Sequence, residues 1–228
     1  MTLENLFLKL AAAYVRGQKL RDLVLPNELV ERPLSDLSEE DFVNLCQLAK
    51  EQGLRLHAFK RTQGLPRVKS VLGTLRGVVP TSLLDVGSGR GVFLWPLLAA
   101  FPSLNTESID LDEGRIEKIN AVQRGGIENL SGQVMDVCQM SFDDDSFEVV
   151  TALEVLEHIP DYCQAIRELV RVATRFVLLS VPSKEDDNPE HIHLFSAKEL
   201  ERAFLSAGAS SVSSSYVLNH LLLLVRIY

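Results

Sequence analysis

Apolar residues return along this chain in two rhythms, and the change from one to the other outlines an architecture. Leu3, Leu6, Phe7, Leu10 and Tyr14 recur at helical spacing and predict an amphipathic first helix with one apolar face. Pro26 and Pro33 mark a connecting stretch. Ser38, with Asp41 three residues on, is a capping-box signature ahead of a helix carrying Phe42, Leu45 and Leu48, which Gly53 ends. Val68, Val71, Leu72 and Leu75 predict another helix after Pro66, lying against a sheet edge and leading into the first strand.

Beyond residue 80 short apolar runs take over. Residues 83–85, 104–110, 131–135, 147–150 and 175–181 read as strands, with helices expected over 92–100, 113–124 and 161–172. Only residues 137–145 separate the third strand from the fourth, too few for a crossover helix. Ser196, with Glu199 at the capping-box position, opens a helix over 197–207 that Gly208 stops, and the segments 211–217 and 220–227 predict a closing antiparallel hairpin. Strands and helices alternating at this spacing imply an α/β fold with a doubly wound, mostly parallel sheet covered on both faces. The pattern divides the chain into a helical N-terminal extension, residues 1–66, and an α/β domain, residues 67–228.

With 228 residues, 46% of them hydrophobic, the chain is long enough to bury a sizeable core. Its net charge of −8 argues against nucleic-acid binding by the whole surface. One segment departs from that balance. Residues 52–84 hold no acid and include Arg55, Lys60, Arg61, Arg67, Lys69 and Arg76, a stretch able to receive a phosphate, a carboxylate or RNA. Cys46, Cys138 and Cys163 form no C-x-x-C pair and suit a reducing cytoplasm. Glu4 and Lys9 disfavour a secretory signal, and the run 221–225 is too short to span a bilayer, so no membrane partner is expected.

Candidate chemistry centres on Leu83-Leu84-Asp85-Val86-Gly87-Ser88-Gly89-Arg90-Gly91-Val92-Phe93, a strand, a glycine turn and a helix start. Glycine at 87, 89 and 91 lets the turn press against a ligand, and the helix start favours a carboxylate or other anion there. A dinucleotide fingerprint would need glycine at 92, where the chain has Val92. Ligands of doubly wound sheets bind outside the carboxyl ends of the strands, where Asp85, Asp110 and Asp136 are expected. Asp110 suits the two hydroxyls of a ribose. Asp136 suits the exocyclic amine of adenine, with the Val137 N–H on a ring nitrogen.

The D-x-G-x-G-x-G at Asp85, Gly87, Gly89 and Gly91 resembles motif I of the class I S-adenosylmethionine-dependent methyltransferases, and Asp110 and Asp136 match that family's later acidic positions. The resemblance covers roughly residues 83–181. It implies a Rossmann-like, seven-stranded sheet whose last strand inserts antiparallel between the fifth and sixth, and S-adenosyl-L-methionine as cofactor. It further implies Asp85, Gly87, Ser88, Gly89, Gly91, Asp110, Leu111, Asp136, Val137 and Leu153 as cofactor-binding residues. Outside the resemblance, the helical N-terminal extension is expected to cover the acceptor cleft. The chain departs from the type 11 pattern at residues 172–175, Val-Ala-Thr-Arg, where a Gly-Gly turn is usual.

Glu154, Glu157, His158 and His193 are the candidate catalytic residues, His158 as a base with an ordinary pKa near the operating pH. The leading expectation is methyl transfer to a small-molecule acceptor, with oxygen favoured, no metal ligand required and an open oligomeric state. A second reading takes Glu154, Glu157, His158, His191 and His193 as a divalent-metal set. The E-x-x-E-H word followed by a later histidine also resembles small-RNA 2'-O-methyltransferases and some quinone-pathway O-methyltransferases, which implies a metal-assisted enzyme acting on RNA or a catechol-like ring. A third is a non-catalytic cofactor-binding partner subunit.

Overall fold

The computed structural model describes residues 7–18, 23–61 and 64–228. Leu3 and Leu6 of the expected first helix, and Glu4 of the signal-peptide argument, lie outside them. The N-terminal part holds α1 (Leu8–Arg16), α2 (Asn27–Glu31), α3 (Glu39–Glu51) and α4 (Pro66–Val78). The alternating part follows as β1 (Ser82–Val86), α5 (Leu94–Ala100), β2 (Asn105–Asp110), α6 (Glu113–Arg124), β3 (Leu130–Val134), β4 (Phe147–Leu153), α7 (Tyr162–Val172), β5 (Ala173–Pro182), α8 (Ala197–Ser206), β6 (Ser211–Val217) and β7 (His220–Arg226).

These strands make one sheet in the order β3-β2-β1-β4-β5-β7-β6. The first five are parallel, and β7 pairs antiparallel with both β5 and β6. The expected α/β, mostly parallel, seven-stranded Rossmann-like sheet is therefore the observed one, including the inserted last strand.

Adjacent residues in each central strand face opposite sides, which sorts the apolar runs into two cores. Leu83, Val149, Leu178 and Leu222 join the core under α1, α3, α4, α5 and α6. Leu84, Val150, Val177, Leu179, Leu223 and Val225 join the core under α7 and α8. Continuous apolar strands are what a sheet covered on both faces requires.

Several boundaries move for local reasons. Helix α1 does not present one apolar face: Leu10, Ala11, Ala12, Ala13 and Val15 are all buried, because the helix is wedged between α3 and α6. Helix α5 starts at Leu94 rather than residue 92, since residues 90–93 remain in the turn. The Ser38–Asp41 capping box forms in full. At α8 only half of one forms: the Glu199 N–H donates to Ser196 Oγ at 3.2 Å, while the Glu199 carboxylate accepts from Tyr162 Oη at 3.1 Å.

No helix joins β3 to β4. Arg171 instead donates to the carbonyls of Met140 (3.0 Å) and Phe142 (2.7 Å), and Glu168 accepts from the Met140 N–H at 2.8 Å, so one arginine and one glutamate of α7 fasten the connection.

Candidate active site

A cleft of about 460 Å³ opens at the carboxyl ends of β1, β2 and β4. Gly87, Gly89, Asp110, Leu111 and Val137 line it on the side of the glycine turn, and Glu154 and His158 on the other. These seven of the sequence-derived candidates are brought together. A larger cavity, about 710 Å³, lies at the opposite ends of the strands beside residues 125–129. That is the wrong edge of a doubly wound sheet for its ligand.

The glycine turn is held from below. Gly87 donates to the Ile109 carbonyl at 2.8 Å and Gly91 to the Ser88 carbonyl at 2.8 Å. Gly89 sits at φ +56, and a Cβ there would meet no atom closer than 3.8 Å. Protein packing does not exclude a side chain at Gly89, so its glycine serves the left-handed backbone and an approaching ligand. Gly91, at φ +79, has the same backbone need and a packing reason besides: a Cβ would lie 2.0 Å from the Trp95 indole nitrogen, which donates to the Arg90 carbonyl at 3.1 Å.

The three strand-end acids do not converge. Asp110 reaches the cleft, where it accepts from the Gly89 N–H at 2.8 Å and pairs with Arg115 at 3.3 Å. Asp85 is 2% exposed and points beneath the turn, accepting from Ser88 Oγ at 2.5 Å and Thr151 Oγ1 at 2.8 Å. Ser88 is also hydrogen-bonded to Ser108. Burial pushes the Asp85 carboxyl up to about 6, against the two hydroxyls that lower it.

Asp136 lies two residues past the end of β3 rather than ending it, and its exposed carboxylate accepts from the Cys138 N–H at 2.8 Å. An aspartate closing its own turn in this way is diverted from the cleft lining. Ser88, Gly91 and Leu153 likewise sit behind the lining, Ser88 and Gly91 within the turn and Leu153 at the end of β4.

On the acceptor side Glu154 stands immediately after β4 with φ +59, a strained backbone for a residue with a side chain. Its carboxylate accepts from Ser180 Oγ at 2.7 Å, contacts His220 Nε2 at 3.1 Å and lies 3.8 Å from Arg67 Nε. His158 Nδ1 is 2.9 Å from the Glu190 carbonyl. Since a carbonyl only accepts, Nδ1 is the donor of this hydrogen bond.

Glu157, expected near the acceptor, is fully buried, and neither carboxylate oxygen has a hydrogen-bond partner. Burial pushes its carboxyl up to about 8. His193 is turned away, its Nε2 3.1 Å from the Ile159 carbonyl and its ring edge-on to Tyr162.

Arg115, Ser180, Glu190 and His220 are not among the sequence-derived site residues, and Arg67 enters there only as one of the basic residues of 52–84. Arg115 carried a faint signal, standing one helical turn beyond the Asp110 strand end. His220 carried none, because only the insertion of β7 beside β5 sets it opposite Pro182 and within reach of Glu154.

A family model described as a methyltransferase domain matches residues 58–214, more than half of the chain, and the chain belongs to that family, the class I S-adenosylmethionine-dependent methyltransferases. S-adenosylmethionine is accordingly its cofactor, and the ligand-facing Gly89 beside Asp110 fits a nucleoside carried on a charged tail.

Among curated relatives, a probable chloroplastic tocopherol O-methyltransferase of Oryza sativa subsp. japonica is 31% identical over 126 residues, 50% of this chain and 34% of that protein. A demethylmenaquinone methyltransferase of Staphylococcus aureus is 32% identical over 107 residues, 46% of this chain and 43% of that protein. The chain thus matches less than half the length of either.

Among solved structures, the YcgJ protein of Bacillus subtilis superposes with a TM-score of 0.56 at 22% identity, covering 66% of this chain and 70% of that one. Magnesium protoporphyrin IX methyltransferase from Synechocystis, with bound S-adenosylhomocysteine, gives 0.56 at 17% identity, covering 71% and 82%. At these identities the likeness is one of fold. Among the described residues no helix is long and apolar enough to cross a membrane.

Proposed function

We propose that this protein transfers a methyl group from S-adenosylmethionine to a small-molecule nucleophile, with a hydroxyl oxygen as the accepting atom. The observation that carries the reading is the cleft in which the Gly89–Asp110 contact faces Glu154. The cofactor supplies, when bound, a methyl group on a positively charged sulfur that is a ready leaving group. Asp110 holds the ribose hydroxyls, exchanging part of its contact with Arg115 for them. Leu111 and Val137 flank the adenine, and the glycine turn receives the amino-acid end. Glu154, fixed by Ser180, His220 and Arg67, accepts the hydrogen bond of the acceptor hydroxyl and holds its proton. Orientation is most of the catalysis and is worth about 7–11 kcal/mol at best.

The relatives' names, a tocopherol O-methyltransferase and a demethylmenaquinone methyltransferase, support a small-molecule acceptor. Acids on the cleft wall, Asp110, Glu154 and Glu190, support the same reading against a nucleic acid, whose phosphates they repel.

The test is calorimetric titration of S-adenosylmethionine, followed by a labelled-methyl screen against hydroxylated quinones and phenols. Asp110→Ala is expected to bind the cofactor roughly 10- to 100-fold more weakly, the worth of a charged hydrogen-bonding group. Glu154→Gln is expected to keep cofactor affinity and lose turnover. Wild-type affinity in Asp110→Ala would remove the ribose from this position, and product analysis showing a methyl on carbon or nitrogen would remove oxygen as the acceptor atom.

A further inference from the structure

Glu157 has no place in the reading above, yet it is the least expected side chain in the molecule. A carboxylate with no exposure and no partner for either oxygen is a costly arrangement. Among the described residues five buried side-chain polar atoms lack a hydrogen-bond partner; two belong to Arg16 and the other three are Glu157 Oε1, Glu157 Oε2 and His191 Nδ1. Glu157 and His191 belong to one cluster. Glu157, His158 and His191 each offer a ligand atom, and these atoms lie within 4.8 Å of one another. The two imidazole rings are 4.8 Å apart, centroid to centroid.

We propose that Glu157, His158 and His191 bind a divalent transition-metal ion, which fastens the segment between β5 and α8 along the edge of the cofactor cleft. Two imidazole nitrogens and one carboxylate oxygen suit zinc and its neighbours, whose bonds of about 2.0–2.2 Å leave room for a water or a further ligand. Ligand atoms in such a tetrahedron stand about 3.3–3.6 Å apart, so entry of the ion draws the three side chains together by small rotations.

The surroundings match what such ligands need. His158 Nδ1 rests on the Glu190 carbonyl at 2.9 Å and His191 Nδ1 lies 2.9 Å from Asp186 Oδ1, a contact whose alignment is not that of a hydrogen bond. The Glu190 carbonyl is the kind of outer partner that orients a metal-binding histidine, and Asp186 sets a negative charge beside the His191 ring. The segment is already tied to the site by its backbone: Ile192 N–H donates to the Glu157 carbonyl at 2.9 Å and His193 N–H at 3.3 Å.

The structure also excludes the wider set read from the sequence. Glu154 is engaged by Ser180, His220 and Arg67, and His193 by Ile159 and Tyr162. The ion would therefore sit against the loop, held by one histidine on each side.

The test needs neither cofactor nor acceptor. The full chain, stripped with chelator, is titrated with Zn²⁺ by calorimetry and with Co²⁺ by visible absorption, with far-UV circular dichroism confirming each variant's fold. One equivalent should bind wild type and His193→Ala alike, while His158→Ala and His191→Ala bind about tenfold more weakly or worse. Zn²⁺ should also slow tryptic cleavage at exposed Lys184 in wild type and leave His191→Ala unaffected. Absence of saturable binding in wild type, wild-type affinity in His191→Ala, or equal loss in His193→Ala overturns the site. Cleavage at Lys184 that ignores the ion overturns the fastening.

Discussion

Asp85 makes the stability of this protein depend on pH in an unusual direction. Its carboxyl rises from an ordinary 3.8 to about 6 through burial, so between those values the folded chain holds a proton that the unfolded chain has lost. The associated stability is complete below about pH 4 and is lost as pH rises through 6. A rise of that size corresponds to roughly 3 kcal/mol, of which about 2 falls between pH 4.5 and 7. Asp85→Asn keeps the shape and removes the titration. Urea unfolding of both proteins at pH 4.5 and 7 should show the variant's stability relative to wild type growing by about 2 kcal/mol at the higher pH. An unchanged difference would mean that Asp85 stays ionised throughout. The motif around Asp85 was plain in the sequence, but the direction of its side chain was not. That direction depends on Thr151 of β4, which donates to the carboxylate, and on Ser88, itself hydrogen-bonded to Ser108 of β2. Asp136 shows the opposite failure, an acid expected at a strand end that lies two residues past it and accepts from its own turn.

Among the elements, start and stop signals are legible where they act locally, as with the Ser38 box and the Ser196 cap on α8, whereas Asp161, read as the first helical residue, is the cap of α7. Signals with two uses were read as one. Gly125 looks like a helix stop, and it is one, yet its φ of −78 needs no glycine. What requires it is α1: a Cβ at Gly125 would lie 1.8 Å from the Ala13 carbonyl oxygen, and one at Gly17 would lie 1.7 Å from that of Ala121. Two helix ends cross backbone to backbone, and periodicity cannot report a contact between elements over a hundred residues apart. Gly125→Ala should lower stability by about 1–3 kcal/mol, the usual cost of overpacking. Gly73, exposed within α4 with nothing near its missing Cβ, supplies the control of opposite sign. Gly73→Ala should raise stability by up to about 1 kcal/mol through helix propensity. Thermal or urea unfolding of the two variants decides it, and a neutral Gly125→Ala would show that α1 can shift without loss. The departure at residues 172–175 also has an element-scale account: α7 passes directly into β5 at Ala173, with no left-handed residue that would call for glycine.

At the scale of the whole molecule, the division at residue 66 followed helix-rich and strand-rich pattern, and the packing runs across it. Leu10, Val15, Leu45, Cys46 and Phe59 share one apolar core with Leu75, Trp95, Leu97, Ile116, Leu83 and Val149. None of α1, α2 or α3 lines the cofactor cleft, which Arg67 at the start of α4 approaches through Glu154. The N-terminal helices therefore stand to the sheet as the outer half of a core layer, and neither half keeps its apolar surface covered alone. Trp95, the single tryptophan, records this directly: its ring lies 4.8 Å from Phe59 of the N-terminal part, while its indole nitrogen is bound to Arg90 of the cofactor turn. Cooperative loss of both parts is the expected outcome. In urea, tryptophan emission and far-UV circular dichroism should trace one coincident transition, because detaching the N-terminal layer exposes Trp95 in the same step that strips α5 and α6 from their cover. A helical signal that falls first, with Trp95 emission still native, would show two separately stable units and restore the boundary that the sequence pattern suggests.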